Sequence, residues 1–429
     1  MKIKNYSELA KSPLRHIALD IVEEGLQAID TERVIRNAVQ MDEEALTIAG
    51  ERIPFADLDT ILVAGVGKCA ARAAGELERI LGDRLTAGFV IAIGDVPPLE
   101  RTVVHVGTHP YPSATNIIAA RELLGFVTGL TERDLVIFLT TGGGSTLLCL
   151  PPDEDWEREG KIFAALTKAG APITELNTVR KHHSRMRGGF LAEAMRPARV
   201  AALIFNDVPG SEDIGFIASG PTVKDTTTVA DAERILEKYK VFETAAIEKV
   251  PLLETPKDDA IFARVRNTVV VSNRTALEAM AEAARRNGFA AEIRDLKLSG
   301  EAREMGWHMV EGIAPARAKT AHLYGGETTV TLRAAGKGGR NQEATLGALR
   351  VMPKNVVFVA AASDGRDNTE FGGAMCDTIT KERARELGED LQTHLDANRS
   401  YDFFARVGDH LTLGDTGSNV ADLFLVIKN

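Results

Sequence analysis

The sequence predicts an α/β protein of two domains built on parallel sheet, and three observations predict it. Apolar runs of the kind that fill buried strands end repeatedly in glycine or polar loops and lead into amphipathic helices. The 429 residues amount to about three common domain lengths, which favours two domains over one. A hydrophobic content of 44% beside 26% charged residues is ordinary globular usage and excludes a disordered or fibrous chain.

The elements follow in order. The first fifty residues read as helical, with Ile17, Ile21, Val22 and Leu26 on one face of "LRHIALDIVEEGLQAID". "TILVAGVGKCAARAAGELERIL" joins an apolar strand to an Ala-rich helix, and "FVIAIGD" supplies the next strand, completing a βαβ unit. "DLVIFLTTGGGST" is a strand running into a glycine turn, "VAALIFNDVPG" a strand running into a polar loop, and "VADAERILEKY" a helix. Two prolines between Lys249 and Lys257, Pro251 and Pro256, mark a boundary, which divides the chain into domains 1–250 and 251–429. Beyond it "NTVVVSN", a helix over Thr275 to Asn287 and "AAEIRDL" read as another βαβ unit. "AHLYGGETTVTL" reads as two strands about a glycine pair, and "NVVFVAAASDG" and "LFLVIKN" as the last strands.

Acidic residues outnumber basic ones 61 to 51, a net charge of −10, so neither nucleic acid nor an acidic membrane surface is an expected partner. The three widely spaced cysteines, Cys69, Cys149 and Cys376, do not form a disulfide framework and fit a reducing cytoplasm. No apolar run approaches the ~20 residues that span a bilayer. The oligomeric state, a homodimer included, stays open.

Chemistry-bearing residues gather where strands end. Gly65, Gly67 and Lys68 lie where a strand meets a helix, a place where backbone N–H groups receive nucleotide phosphate. The spacing is not a Walker A motif, because Cys69 stands where the magnesium-binding Ser or Thr would be. As G-x-G-x-x-A it approximates a dinucleotide fingerprint, which supports NAD(P)H-dependent hydroxypyruvate reduction as the alternative function. Gly142, Gly143 and Gly144, followed by Ser145, can turn successive amides inward as an anion nest. "NTVRKHHSRMRGG" concentrates cations in an acidic chain; Arg180, Ser184 and Arg187 share a helical face, and Arg180 and Arg185 suit a carboxylate or phosphate. Asp207 ends a strand, where a carboxylate holds Mg²⁺ or orients a hydroxyl, and Ser219 and Gly220 form a turn near it for the nucleotide. In the second half Arg340, Asn341 and Glu343 open a helix after "GKGG", and Asp364 and Asp367 close a strand as nucleotide and metal ligands. Together these are the parts of a magnesium-dependent phosphoryl-transfer site.

"GVGKCAARAAGELE", "LTTGGGSTLL", "NTVRKHHSRMRGGFLAEAMRPARV", "NDVPGSEDIGFIASGPTVKD", "GKGGRNQEATL" and "GDTGSNVADLFLVI", in this order, resemble the glycerate 2-kinase family, whose carboxy-terminal module is called MOFRL. The resemblance runs from about Lys11 to the last residue. It implies a Rossmann-like amino-terminal domain, a smaller α/β carboxy-terminal domain and a cleft between them that closes. It also implies Mg²⁺, ATP as phosphoryl donor and D-glycerate as acceptor, giving 2-phosphoglycerate. The family's active-site lysine falls on Lys68 and its catalytic arginine on Arg340, while Ser145, Arg180, Ser184, Arg185, Asp207, Asn341 and Glu343 sit at motif positions. "DGRDNTEFGGAM" departs from the family's usual "DGxDGPTDAAGA" but keeps Asp364, Gly365 and Asp367.

Overall fold

A computed structural model describes residues 1–94, 96–210 and 213–429. The chain forms two compact units, one of Met1–Arg33, Asp207–Ser211 and Val271–Asn429, the other of Val34–Asn206 and Glu212–Val270.

The second of these units is built on a six-stranded sheet. Its strands are β1 (Thr60–Val66), β2 (Ala87–Ile93), β3 (Thr102–Gly107), β4 (Asp134–Thr140), β5 (Arg199–Phe205) and β6 (Val265–Val271), in the order β3-β2-β1-β4-β5-β6. The first five pair in parallel, joined by helices such as α2 (Ala70–Leu81) and α3 (Ala114–Phe126). Every residue of β4 is buried, as a central strand covered on both faces requires. Strand order runs outward from β1 on one side and from β4 on the other, so the chain reverses direction between them. That switch point is where the carboxyl ends of parallel strands leave a crevice for ligands. Two further helices, α4 (Trp156–Lys168) and α5 (Ile173–His182), follow β4.

The other unit carries a mixed sheet, with α7 (Ala302–Ile313) among its helices. Strands β7 (Ala290–Leu298), β8 (Thr320–Gly326), β9 (Val356–Ala362), β10 (Gly373–Cys376) and β11 (Asp422–Lys428) lie in the order β7-β8-β11-β9-β10, and only β7 and β8 are parallel. Helix α1 (Pro13–Ala28) belongs here, not with the rest of the amino-terminal half. It buries Ile21, Val22 and Leu26 and crosses α6 (Asn273–Arg286) so closely that a Cβ on Gly25 would lie 2.5 Å from Met280 Cγ. Arg15, fully buried, fixes it by donating from Nε to Asp377 at 2.8 Å and from a terminal nitrogen to Asp409 at 2.8 Å.

Three expectations are corrected. The helical reading of the first fifty residues stops at Ala38, and Val39–Met41, Ala45–Ile48 and Glu51–Pro54 form a small antiparallel sheet. "NTVVVSN" and "AAEIRDL" do not share a sheet: β6 closes the edge of the six-stranded sheet, whereas β7 opens the mixed one, because the chain changes unit at Val270 and Val271. Gly325 and Gly326 are not a hairpin turn. They end β8, where a Cβ on Gly326 would lie 2.1 Å from the Leu298 carbonyl oxygen, and the residues after them make only an isolated bridge, Glu301 to Thr329. The described residues include no helix long and apolar enough to cross a membrane.

Candidate functional site

Lys68 and the triple glycine lie at the switch point, after β1 and β4. Gly65 is a spacing residue inside β1, since a Cβ there would stand 2.7 Å from Leu139 Cβ on the neighbouring strand. Gly67 has φ +115, and a Cβ would press to 2.3 Å on Thr141 Oγ1. The amides of this turn are engaged within the protein. Gly67 N–H donates to Ile91 O at 2.9 Å, Lys68 N–H to Gly142 O at 2.9 Å, and Cys69 N–H to Thr141 Oγ1 at 3.2 Å. The expectation that Gly65 and Gly67 receive phosphate on open amides is therefore corrected: they set the distance between two loops. What the turn offers is the Lys68 side chain, which is exposed and makes no ion pair among the described residues. Gly67→Ala should destabilise the protein by about 2 to 4 kcal/mol, from backbone strain plus the clash, readable as a lowered denaturant midpoint.

The three glycines each do a different task. Gly142 accepts from the Lys68 amide, and Gly143 takes the left-handed conformation, φ 83, beside His109. Gly144 lets the loop approach the 217–220 turn, where a Cβ would meet Ala218 Cβ at 2.6 Å. That approach brings Ser145 Oγ to 2.9 Å from Ser219 Oγ, and Ser219 Oγ in turn donates to Asn177 Oδ1 at 2.9 Å.

Beside this loop is a cavity of about 410 Å³ whose wall includes Pro110, Tyr111, Ser145, Thr146, Phe163 and Arg180. Arg180, in the last turn of α5, stacks its guanidinium over the Phe163 ring at 4.9 Å and has no carboxylate partner among the described residues. Burial, with the neighbouring Arg187 cation, pulls its pKa down to about 10 against the opposing pull of Glu159. A half-buried cation without a carboxylate partner among the described residues favours an anionic ligand. His109 reports the same field: burial, then the Lys68 and Arg180 charges, lower the pKa of its imidazole below the ordinary value.

The rest of the basic cluster is structural. Arg187 is fully buried and paired with Glu159 at 2.7 Å. Ser184, expected to touch substrate, is corrected to a loop fastener: it is buried, donates to Leu148 O at 2.7 Å and accepts from the Leu150 and Met186 amides. Arg185 is exposed at the surface. Gly220 ends its turn in the left-handed conformation, φ 63. Asp207, half-buried, follows β5 by two residues.

In the other unit Arg340 is the first residue of α8 (Arg340–Arg350). Its guanidinium is forked onto Asp422, Nε to Oδ2 at 2.5 Å, and pairs with Glu327 at 2.6 Å. Burial pushes the Asp422 carboxyl up to about 7 although the Arg340 charge opposes it. Arg340 also lines a cavity of about 390 Å³ with Thr328, Gly338, Gly339, Asn398 and Ser400. Two expected ligands here are corrected. Asp367 caps α8, its oxygens accepting from the Asn341 amide at 3.0 Å and the Gln342 amide at 2.8 Å, so it is a capping residue and not an open metal ligand. Glu343 is buried and ion-paired with Arg303. Asn341 is buried and donates from its side chain to Asp367 at 3.2 Å, and Asp364 accepts from the Arg366 amide at 3.0 Å. No cluster of His, Cys, Asp or Glu able to hold a metal by itself occurs among the described residues.

Sequence reasoning missed His109, Asn177, Tyr111 and Phe163. Asn177 could have been found as the residue one turn before Arg180 on the same helical face.

Comparison with known proteins places this geometry. A family model described as "Domain of unknown function (DUF4147)" matches residues 17–254, and the MOFRL family model matches residues 320–422. The D-glycerate 2-kinase of Thermotoga maritima is 33% identical over 425 residues, covering 96% of this chain and 98% of its own. The glycerate 2-kinase of Pyrococcus horikoshii is 36% identical over 435 residues, with 96% and 97% covered. The solved structure of a glycerate kinase from T. maritima matches with a TM-score of 0.85 at 32% identity, over 97% of this chain and 99% of that one. A relative from Agrobacterium vitis, 38% identical over 384 residues, carries a provisional hydroxypyruvate reductase name. Fold and comparisons define the class, an α/β enzyme of two compact units. Within that class, the chain belongs to the glycerate 2-kinase family.

Proposed function

We propose that the protein is an ATP-dependent kinase that phosphorylates the 2-hydroxyl of D-glycerate to 2-phosphoglycerate. The observation that carries this reading is a pair of cations, Lys68 and Arg180, which have no ion-pair partner among the described residues and both act on His109 at the switch point of a parallel sheet. Arg180 or Arg185 would hold the glycerate carboxylate. Lys68 would neutralise charge on the transferring γ-phosphoryl group, and Arg340 is the catalytic arginine that the resemblance implies. The acceptor oxygen forms a bond to phosphorus, the bond to the β–γ bridging oxygen breaks, ADP leaves, and the hydroxyl proton is released. Mg²⁺ would arrive on the nucleotide phosphates, with Asp207 as its carboxylate. Three buried, unbridged cysteines support a cytoplasmic site of action.

Hydroxypyruvate reduction loses its support, because Gly65 and Gly67 act as spacers, the amides after β1 are engaged, and Lys68 stands inside the fingerprint. A coupled assay with MgATP and D-glycerate beside an NADH plus hydroxypyruvate control tests the choice. ADP release that depends on glycerate, with no NADH loss, is expected; NADH consumption without ADP release would replace the kinase by the reductase.

A further inference from the structure

Behind the wall of the 410 Å³ cavity, three side chains from three segments form one hydrogen-bonded chain: Ser145, Ser219 and Asn177. With the Asn177 amide oriented as in this structure, its polarity follows from elementary donor and acceptor rules. Asn177 Oδ1 only accepts, so the single Ser219 hydroxyl proton is directed at it, 2.9 Å away. Ser219 Oγ is then left as the acceptor for Ser145, 2.9 Å away, which uses the single proton of Ser145. Ser145 Oγ therefore turns only lone pairs toward the cavity, where Arg180 lies on the same wall. An oxygen presented this way accepts from a hydroxyl and repels a phosphate or carboxylate oxygen, which revises the anion-binding part expected of Ser145.

Two further observations show that the chain is built and not incidental. Ala218, Ser219 and Gly220 all have positive φ, 51, 58 and 63, and the first two are not glycine. Such a run costs conformational energy and persists where the surroundings fix it. Asn177 is 2% exposed, and its Nδ2 has no partner among the described residues, so the bond from its oxygen to Ser219 is what a polar residue here supplies.

We infer that Asn177 is a positioning residue that, through Ser219, fixes Ser145 as a hydrogen-bond acceptor for a hydroxyl group of the bound hydroxy acid. The inference rests on the kinase reading, from which the identity of the acid comes.

The experiment measures KM for D-glycerate and for MgATP, with kcat, in the full-length wild type and in N177A, N177D, S145A and the N177A/S145A pair, each checked by its thermal melt. N177A and S145A should each raise the glycerate KM about tenfold while the MgATP KM stays within about twofold. The double variant should be no worse than S145A by more than about twofold, because both changes remove one interaction. N177D should stay within about threefold of wild type, since a carboxylate also only accepts. A well-folded N177D as impaired as N177A, losses that multiply in the double variant, or equal shifts in both KM values would each overturn the inference. N177D and S145A decide the matter if N177A fails to fold. A wild type that does not phosphorylate glycerate overturns the kinase reading itself, whereas an active wild type with those variant results overturns this inference alone.

Discussion

Lys68→Met should lower kcat/KM for D-glycerate by about a thousandfold, near 4 kcal/mol of transition-state stabilisation, and leave the melting temperature almost unchanged. The two halves of this result have separate physical grounds. Lys68 is exposed and has no ion-pair partner among the described residues, so removing its charge breaks nothing that holds the fold together. Its backbone amide, which joins the two switch-point loops through Gly142 O, is untouched by the substitution. In the proposed function the lost charge is one that stabilises the phosphoryl oxygens during transfer, and positioning and electrostatics supply nearly all the rate of phosphoryl transfer. Arg180 and His109, whose pKa is lowered, do not replace it. Kinetics and a thermal melt on one preparation check both halves, and a kcat/KM within a few-fold of wild type would remove Lys68 from the chemistry.

Arg340→Met is expected to cost both activity and stability, which distinguishes it from the lysine. Activity should fall about a hundredfold to a thousandfold. Stability should fall by about 3 kcal/mol, because Asp422, 1% exposed, loses the guanidinium that pairs with it. The pH dependence gives the mechanism away. The Asp422 carboxyl already sits at about 7, raised by burial and restrained by Arg340. Without the cation it rises further. The folded state then holds a proton that the unfolded chain releases near its ordinary value of about 3.9. Stability from a group raised in this way is fully present below the unfolded value and is lost as pH rises through the folded one. The deficit of Arg340→Met against wild type should therefore stay level from pH 5 to about pH 7, where both folded proteins keep the proton, and widen above it in denaturant unfolding. Arg340→Lys should narrow it, by keeping a charge without the fork. A deficit that is flat with pH would mean that Asp422 is not the group left behind.

How much of this was legible in the sequence follows from what each signal encodes. The strand runs ending in glycine were readable, because burial on both faces and tight loops leave a local trace, and Lys68 and the Gly142 to Ser145 loop lie at the switch point between β1 and β4. The amphipathic stripe of α1 was readable too, but a stripe does not name its partner. The helix joins the mixed-sheet unit through Gly25 against Met280 and the buried Arg15 pairs, contacts between residues distant in sequence. Strand β6 looked like the start of a new βαβ unit because alternation is local, whereas sheet membership is not. Residue type also misled where chemistry and structure use the same groups. Asp367 has the residue type and loop of a metal ligand and serves as a helix cap, and Ser184 has the place of a substrate hydroxyl and fastens the loop after β4. Asn177 left only its place one turn before Arg180, and His109 gave no signal of its own, since each gains its role from what folding brings beside it.

The most direct measurement is the proton-coupled ³¹P spectrum of the product formed from MgATP and D-glycerate by the wild-type protein. Phosphate carried on the methine carbon couples to one proton and on the methylene carbon to two. The proposed function predicts a new phosphomonoester doublet that grows with ADP. A triplet would place the phosphate on the 3-hydroxyl, and no new phosphomonoester with ATP intact would contradict the kinase reading altogether.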